Sequence, residues 1–470
     1  MSVVSKILEF IPEIKKPDTR RLGFSEKLKW TLIMLVGFFV LSVIPLYGLG
    51  ENALAQFEQL SIILGASFGS ILSLGIGPLV TASIVLQLLV GSGILNIDTK
   101  TPEGRAYYQG LQKITAIFFV VFEGFIYIFL GGLAPPTALQ GTSQYFVMEM
   151  ALVVQIVVGG LLVMYMDEVT TKWGFGSGIS LFIAAGVSSE LVIRLISPLN
   201  TLGQWAFGSG QAPIGQVFVF VLSLVQGAPR EAILAFAAIA ATFVVFIVAV
   251  YAQAMKVEIP LSFGHVRGYG IRWPLNFLYT SNIPVILVAA LMANVQLWAR
   301  LLQNWGHPLL GTFAGASPAS GFVQWIAVPH LVNSILTGSF SWFALVQAII
   351  YTLFLVIGSV IFSIFWVQTA GMDAASQAKQ IMASGLQIPG FRRDERVLEH
   401  ILQRYIMPLT VMGGITIGLI AASADILGAL SRGTGILLAV MIIYKMYEDI
   451  AKQHMMDMNP AMRKMMGGGN

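Results

Sequence analysis

Few residues in this 470-residue chain have the types and spacing that enzyme chemistry requires. The segment Gly65-Ala66-Ser67-Phe68-Gly69 matches the Gly-x-Ser-x-Gly pattern of hydrolases with a serine nucleophile. That pattern activates a serine only at a strand-to-helix elbow with a histidine partner. No predicted strand precedes Ser67, and no histidine lies in any of the long apolar segments. We therefore expect no enzyme activity.

Metal and thiol chemistry are excluded by composition. The chain has no cysteine, which rules out disulfides, thiolate nucleophiles and cysteine metal sites. Its histidines are scattered without metal-ligand spacing; they are His265, His307, His330, His400 and His454. His-Glu-x-x-His and Walker A patterns are missing as well. The sequence predicts no cofactor and no metal site.

Glu123 is the one ionisable side chain well inside a long apolar segment. A buried carboxylate costs several kcal/mol unless it is paired or protonated. We therefore expect Glu123 to have a role, and the elements that surround it decide which role is possible.

The composition predicts that the long apolar segments face lipid. Hydrophobic residues make up 56% of the chain and charged residues only 11%, whereas a soluble domain carries about 25% charged residues. The charges are concentrated in short connections, as in a multi-span helical membrane protein. The first 26 residues are polar and contain Pro12 and Pro17, so we expect no cleavable signal peptide.

Crossing a ~30 Å hydrocarbon layer takes about 20 apolar residues of helix. We predict an all-α protein with ten spans, near Trp30–Leu46, Ile71–Leu95, Ile114–Leu130, Tyr145–Met166, Ile179–Leu195, Ala232–Ala254, Phe277–Leu297, Trp342–Val367, Tyr405–Ala424 and Gly433–Tyr447. Ten spans place both termini on one side of the membrane. Most basic residues fall on that side, and the other side receives only Arg194, Arg230, Arg300 and Arg432. By the positive-inside rule both termini are cytoplasmic, and we expect a multi-pass protein of the cell membrane.

The spans divide the chain into a cytoplasmic segment 1–29, a first half 30–195, an external connection 196–231, a second half 232–451 with cytoplasmic loops 256–275 and 371–404, and a cytoplasmic tail 452–470. Ala53–Leu64 is apolar but too short to span, and glycines flank it. It is either a re-entrant segment in a protein cavity or an external surface helix. Pro78 and Pro284 lie early in the second span of each half, which favours two inverted halves, although prolines are common in membrane helices.

Several motifs occur in order along essentially the whole chain, namely Gly75-Ile76-Gly77-Pro78, Gln87-Leu88-Leu89-Val90-Gly91-Ser92-Gly93, Gly174-Phe175-Gly176-Ser177-Gly178-Ile179, Asn282-Ile283-Pro284-Val285-Ile286, Pro389-Gly390-Phe391-Arg392 and Gly433-Thr434-Gly435-Ile436-Leu437-Leu438. They resemble the motifs of the SecY family, the channel (alpha) subunits of the Sec protein translocase, in its archaeal-type form. The resemblance implies ten transmembrane helices in two pseudo-symmetric inverted halves with a short re-entrant plug helix. It also implies a channel that translocates unfolded secretory polypeptides and releases membrane helices laterally into lipid.

The resemblance implies a pore ring of six aliphatic side chains at mid-membrane. The matching residues are Ile76, Val80, Ile179, Ile183, Ile286 and Leu438. A narrow aliphatic ring resists wetting, so ions meet a dehydration barrier that a threaded peptide does not. The spacing of 76/80 and 179/183 places each pair on one face of its helix. The alternative is ordinary packing in the core or against lipid, which holds for most isoleucines in such a chain.

Two further sites follow from the same resemblance. Ala53–Leu64 matches the plug that seals the ring from below; its residues Ala53, Phe57, Leu60, Ile63 and Leu64 are expected to move aside on opening. Thr81, Glu123 and Asn294 match a polar cluster at the lateral gate, where the second, third and seventh spans meet. Simple adhesion between membrane helices is the alternative for this cluster.

The resemblance also implies that the two cytoplasmic loops dock the ribosome. The candidate residues are Arg267, Arg272, Arg392 and Arg393, since arginine is well suited to bind phosphate. Topology alone explains most of these charges. Arg392 matches the arginine of a family signature and ranks first. Arg393 and Arg396 alternate with acidic residues, which dilutes a phosphate-binding patch.

The expected partners are a SecE-type (gamma) subunit, a small Sec-beta-type subunit, the ribosome, signal sequences with their nascent polypeptides, and the lipid bilayer. A secondary transporter is the alternative function, because transporters also have inverted halves and broken helices. Coupled transport normally needs several intramembrane charges, whereas this chain offers one glutamate. Counterflow uptake of a solute would favour the transporter.

Overall fold

The computed structural model describes most of the 470 residues. The described ranges are 11–17, 22–52, 67–91, 93–97, 101–200, 204–207, 211–263, 270–280, 283–315, 317–329, 331–336, 338–383, 386–387, 394–431 and 433–458.

Ten long helices follow one another along the described chain, and each coincides with a predicted span. They are α1 (Phe24–Val43), α2 (Gly77–Gly91), α3 (Pro102–Phe129), α4 (Ser143–Trp173), α5 (Gly178–Ile196), α6 (Pro229–Ala254), α7 (Ile283–Asn304), α8 (Trp342–Thr369), α9 (Glu395–Ile426) and α10 (Gly433–Met458). Shorter helices occupy Gln216–Val225, Phe322–Trp325, Leu331–Leu336 and Ala374–Ala383.

Seven helical stretches of the described chain are long and apolar enough to cross a membrane, judged by length and composition. The other three long helices do not meet this criterion of length and composition. α1 carries charged residues near its start, α2 has 15 residues, and α10 continues into the charged carboxy-terminal region.

The helix ends differ from the predicted ends where capping, not hydrophobicity, decides them. α3 begins at Pro102, twelve residues before the predicted Ile114, because the Thr101 side chain accepts a hydrogen bond from Gly104 N (3.0 Å) and proline occupies the first turn. α2 begins at Gly77, not at Ile71. Before it, the chain forms turns in which Ser70 Oγ donates to Ser67 O at 2.7 Å.

The helices present large apolar side chains outward, as expected of a protein dissolved in lipid. In α6, for example, Phe243 and Val244 are 67% and 54% exposed, whereas Ala241 and Ala249 are buried. Small residues on the inner face let neighbouring helices approach closely.

α8 and α9 pack so closely that glycine is required between them. A Cβ on Gly418 would lie 2.7 Å from Val356 Cα, and one on Gly414 would lie 3.0 Å from Val360 Cα. The two backbones are therefore in direct contact along about one helical turn.

A small sheet lies in the connections after α6 and α8. β1 (Lys256–Phe263) and β2 (Gly270–Asn276) form an antiparallel hairpin with Lys256 opposite Asn276. The short strand β3 (Leu386–Gln387) pairs with the far end of β1. Apolar residues of this sheet, of the helix Ala374–Ala383 and of the start of α9 share one cluster. The two predicted cytoplasmic loops therefore form one body.

Candidate functional site

The six predicted ring residues lie at the starts of α2, α5 and α7 and within α10. Ile76 directly precedes α2, and Val80 N–H donates to Ile76 O at 3.0 Å, so the helical spacing of this pair is retained. Ile179 and Ile183 lie in the first two turns of α5, and Ile286 lies in the first turn of α7.

The structure brings these six side chains into one apolar cluster. Five of them are at most 6% exposed, namely Ile76, Val80, Ile183, Ile286 and Leu438, and Ile179 is partly buried against the same cluster. Residues from helices distant in sequence thus meet in one interior region. An aliphatic lining of this kind can exclude water and ions.

The glycine-rich turn before α5 positions Ile179. Gly176 has φ +72°, a conformation that favours glycine. A Cβ on Gly178 would lie 2.6 Å from Asp167 Cα, so α4 and the start of α5 are in backbone contact. The Asp167 carboxylate then accepts a hydrogen bond from Ile179 N at 2.9 Å, which caps α5.

Thr31 of α1 holds the other end of this turn, because its hydroxyl accepts a hydrogen bond from Phe175 N at 3.0 Å. The sequence reasoning missed Asp167 and Thr31. The glycine motif signalled a tight turn, and Ser177 within it is the local N-cap of α5, accepting a hydrogen bond from Ser180 N at 3.5 Å. Nothing local indicated that Asp167 and Thr31 would bind the turn as well.

Thr81, Glu123 and Asn294 are joined by hydrogen bonds. Thr81 Oγ1 lies 3.1 Å from Glu123 Oε1, and Asn294 Nδ2 donates to Thr81 Oγ1 at 2.9 Å. Thr81 Oγ1 also lies 2.9 Å from Gly77 O, its neighbour one turn back. α2, α3 and α7 therefore meet at one hydroxyl group.

Hydrogen bonding in this cluster is incomplete within the described part of the chain. Glu123 is fully buried, and its second oxygen, Oε2, has no hydrogen-bond partner there. Asn294 Oδ1 and Tyr127 Oη, one helical turn from Glu123, are in the same situation. Unsatisfied buried polar groups reduce the stability of the state that buries them. The cluster thus joins three helices without binding them strongly.

A second buried carboxylate lies near the opposite end of the bundle from the sheet. Asp425, in the last turn of α9, is 4% exposed and accepts a 2.5 Å hydrogen bond from Tyr351 Oη of α8. The sequence analysis singled out Glu123 alone, because the predicted ninth span ended at Ala424, one residue before this aspartate.

The predicted plug residues Ala53, Phe57, Leu60, Ile63 and Leu64 lie outside the described residues. Their flanks are described and paired. Glu51 pairs with Ala134 after α3, and Leu46 N donates to Gly69 O at 2.9 Å. The chain is therefore fixed on both sides of this segment.

Most of the predicted docking arginines also lie outside the described residues, namely Arg267, Arg392 and Arg393. The backbone of Arg272 is described and pairs with Pro260 in the β1–β2 hairpin. Tyr279 Oη donates to Met372 O at 2.8 Å, which ties the connection after β2 to the one after α8.

No group of three or more histidine, aspartate or glutamate side chains in the described ranges is arranged to hold a metal ion. The arrangement as a whole offers a buried apolar cluster, a polar junction of three helices and a loop body held together by the small sheet.

Comparison with known protein families gives two matches. The SecY family matches residues 70–447, and the plug domain of Sec61p matches residues 38–69.

Relatives match over nearly their whole length. The protein translocase subunit SecY of Pyrococcus furiosus is 43% identical over 476 residues, 99% of each chain. The protein of the same description from Methanothermobacter thermautotrophicus is 41% identical over 465 residues, 98% of each chain.

Two solved structures extend the comparison to the fold. One, described as the structure of a protein conducting channel, has a TM-score of 0.82 and 39% identity and covers 98% of this chain and 100% of the other. Sec61 in the canine ribosome-channel complex from the endoplasmic reticulum has a TM-score of 0.79 with the same identity and coverage.

Proposed function

The chain belongs to the SecY family of protein translocase subunits, and from this premise we propose how its ten helices form a protein-conducting channel. It is a channel and not an enzyme, which agrees with the residue chemistry described above. Its substrates are unfolded secretory polypeptides, which cross the membrane, and membrane helices, which leave laterally into lipid. The relatives are translocase subunits, so the secondary transporter is set aside.

The central observation behind this proposal is the convergence of six aliphatic side chains in one cluster. Ile76, Val80, Ile179, Ile183, Ile286 and Leu438 form the pore ring. In the closed state the ring is narrow and dry, so an ion would have to lose its hydration shell to pass. A polypeptide fills the ring with its own side chains and passes without a water column.

The lateral gate lies where α2 meets α7, and Thr81, Glu123 and Asn294 are its polar latch. The hydrogen bonds through Thr81 Oγ1 hold α7 to α2 and α3. Because Glu123 Oε2 and Asn294 Oδ1 lack partners among the described residues, the latch is weak enough to be opened by a bound signal sequence.

The plug comprises the segment Ala53–Leu64, and its proposed sealing residues are Ala53, Phe57, Leu60, Ile63 and Leu64. Support comes from the match of the plug domain to residues 38–69 and from the paired flanks at Glu51 and Gly69. Fixed flanks let the plug leave and return without movement of α1 or α2.

The loop body formed by β1, β2 and β3 docks the ribosome, and the residues proposed to bind its phosphate groups are Arg267, Arg272, Arg392 and Arg393. A related structure is Sec61 in a ribosome-channel complex, which supports this partner. A SecE-type and a Sec-beta-type subunit complete the complex. The two halves are residues 30–195 and 232–451, and both termini are cytoplasmic in the cell membrane, as the charge distribution favours.

Co-translational reconstitution tests this function. The chain is placed in liposomes with the two small subunits, and ribosomes synthesise a secretory polypeptide in their presence. We expect the polypeptide to become protected from added protease, and the same polypeptide without its signal sequence to stay accessible. Equal accessibility of both polypeptides would contradict the proposal.

A further inference from the structure

The amino-terminal segment 11–17 is held against the end of the bundle where α3 begins and α4 ends. It forms no helix or strand. Four side chains of α3 and α4 hold it, namely Lys113, Glu168, Lys172 and Trp173.

These four side chains bind the main chain of the segment. Lys113 Nζ donates to Pro12 O at 2.9 Å, and Lys172 Nζ donates to Ile14 O at 2.6 Å. The N–H of Ile14 donates to Glu168 Oε1 at 3.1 Å, so both polar groups of this residue are bound. Trp173 Nε1 donates to Lys15 O at 2.9 Å. Pro12 O and Ile14 O are two residues apart, the spacing at which an extended chain presents carbonyls to one side, and the next carbonyl, Lys15 O, is bound by Trp173.

The side chains of the segment contribute little to this contact. Pro12, Glu13, Lys15 and Lys16 are exposed. Glu13 contacts Lys172 at 2.6 Å, but its side chain is 69% exposed, and exposed ion pairs add little. Recognition of main-chain groups does not depend on sequence, as in strand addition at a sheet edge.

The binding groups are also held by one another while the segment is bound. Glu168 pairs with Lys113 at 2.8 Å and with Lys172 at 2.7 Å, and the three side chains are 13–17% exposed. The ammonium group of Lys113 also lies 5.4 Å from the Tyr165 ring centroid. A preorganised site loses less entropy on binding than a flexible one.

We propose that Lys113, Glu168, Lys172 and Trp173 form a main-chain binding site for extended polypeptide, which residues 12–15 occupy until another extended segment displaces them. The proposal that the second segment is an unfolded polypeptide rests on the proposed function, because a protein-conducting channel binds unfolded chains. The contacts that form the site do not depend on that function.

The absence of native cysteine makes the test direct. A spin label on Lys16→Cys in the full-length chain, within the intact complex, reports whether the segment is bound. Three 13-residue peptides are added: the sequence of residues 8–20, a scrambled version, and the first peptide N-methylated at the amide that corresponds to Ile14. We expect the first two to mobilise the label at similar concentrations, and the N-methylated peptide to require about tenfold more, since it lacks one donor to a charged acceptor.

Variants test the site without added peptide. Lys172→Met is expected to mobilise the label, whereas Lys29→Met, which removes an exposed positive charge nearby, is not. Trp173→Phe keeps an aromatic ring against Trp30 and removes one donor that the segment and an added peptide would both use, so the mobile fraction of the label without peptide should rise about three- to tenfold. This milder variant gives a result even if Lys172→Met does not fold.

Two results would overturn the inference. If only the cognate peptide displaces the segment, recognition depends on side chains. If no peptide displaces the segment while Lys172→Met mobilises the label, the contact is part of the fold and not a binding site. The same preparation is assayed for polypeptide translocation, so a complex that translocates but does not bind peptide contradicts this inference alone.

Discussion

Asn294 Nδ2 on α7 lies 2.9 Å from Thr81 Oγ1 on α2, and this hydrogen bond crosses the proposed lateral gate. Asn294→Leu removes the donor and keeps the number and branching of the side-chain heavy atoms. A buried hydrogen bond contributes about 1 kcal/mol, so the open fraction should rise about fivefold. We expect less hydrophobic signal sequences to be accepted, measured with a series of signals of graded hydrophobicity.

A double-mutant cycle with Thr81→Val isolates this pair. The effects of the two variants should not add, because both remove the same bond. Additive effects would mean that the two residues act separately.

Glu123 is expected to set the signal threshold through the same hydroxyl. Glu123→Gln keeps an oxygen and the size of the side chain near Thr81, whereas Glu123→Leu removes both the oxygen and the polarity. We therefore expect a small shift of the threshold for Gln and a larger one for Leu. The same signal series measures both, and an unchanged threshold in both variants would argue against a gate role for Glu123.

Polar replacement in the ring should open a leak. Ile286 is 6% exposed in the apolar cluster, and Ile286→Asn offers hydrogen bonds to water at the constriction. Every 1.4 kcal/mol removed from the dehydration barrier raises ion passage about tenfold. Resting conductance in planar bilayers is the measurement. Ile286→Val is the matched control and should stay closed; the same test applies to Ile179→Asn.

Charge reversal should separate docking from bulk charge. Arg392→Glu is expected to weaken ribosome binding in co-sedimentation more than Arg396→Glu. Arg396 lies in the first turn of α9, where its N–H donates to Asp394 Oδ1 at 2.9 Å. Glutamate is favourable at a helix amino terminus, so Arg396→Glu should fold normally. Equal losses for both variants would point to net charge alone.

Alanine substitutions at two glycines of the turn before α5 should reduce thermal stability to different extents. Gly178→Ala places a Cβ 2.6 Å from Asp167 Cα, and overpacking of this kind costs about 1–3 kcal/mol or more. Gly176→Ala has space but requires φ +72°, which costs about 1–2 kcal/mol. We expect a larger loss of thermal stability in detergent for Gly178→Ala.

Gly176→Asn is the control for backbone conformation, because asparagine tolerates positive φ better than alanine. It should recover part of the stability lost in Gly176→Ala. If Gly178→Ala is as stable as the parent chain, the close contact between α4 and α5 is wrong.

The positions of the ten helices could be predicted because the need for about 20 apolar residues acts on each segment separately. The ends of the helices could not be predicted in this way, because capping residues and turns determine them. Thr101-Pro102-Glu103 is a recognisable start signal for α3, whereas a search for apolar residues alone begins this span at Ile114. The sequence predicts a helix from Ile71, because the serines and glycines that form turns there are surrounded by apolar residues.

The proposed ring and gate residues follow from motifs of the family and not from periodicity. Neither the motifs nor the periodicity predicts which residues from distant segments contact each other. Tyr351 and Asp425 are 74 residues apart, and Thr31 and Phe175 are 144 apart. Such pairs depend on how helices are arranged in space, which no local pattern encodes.

The glycine contacts between α8 and α9 have a mechanical consequence. Helices whose backbones touch at Gly414 and Gly418 cannot slide or roll past each other without a collision. The connection between them contains the helix Ala374–Ala383 and β3, which is part of the loop body. A displacement of the loop body would therefore move α8 and α9 together as one rigid pair, down to the middle of the bilayer.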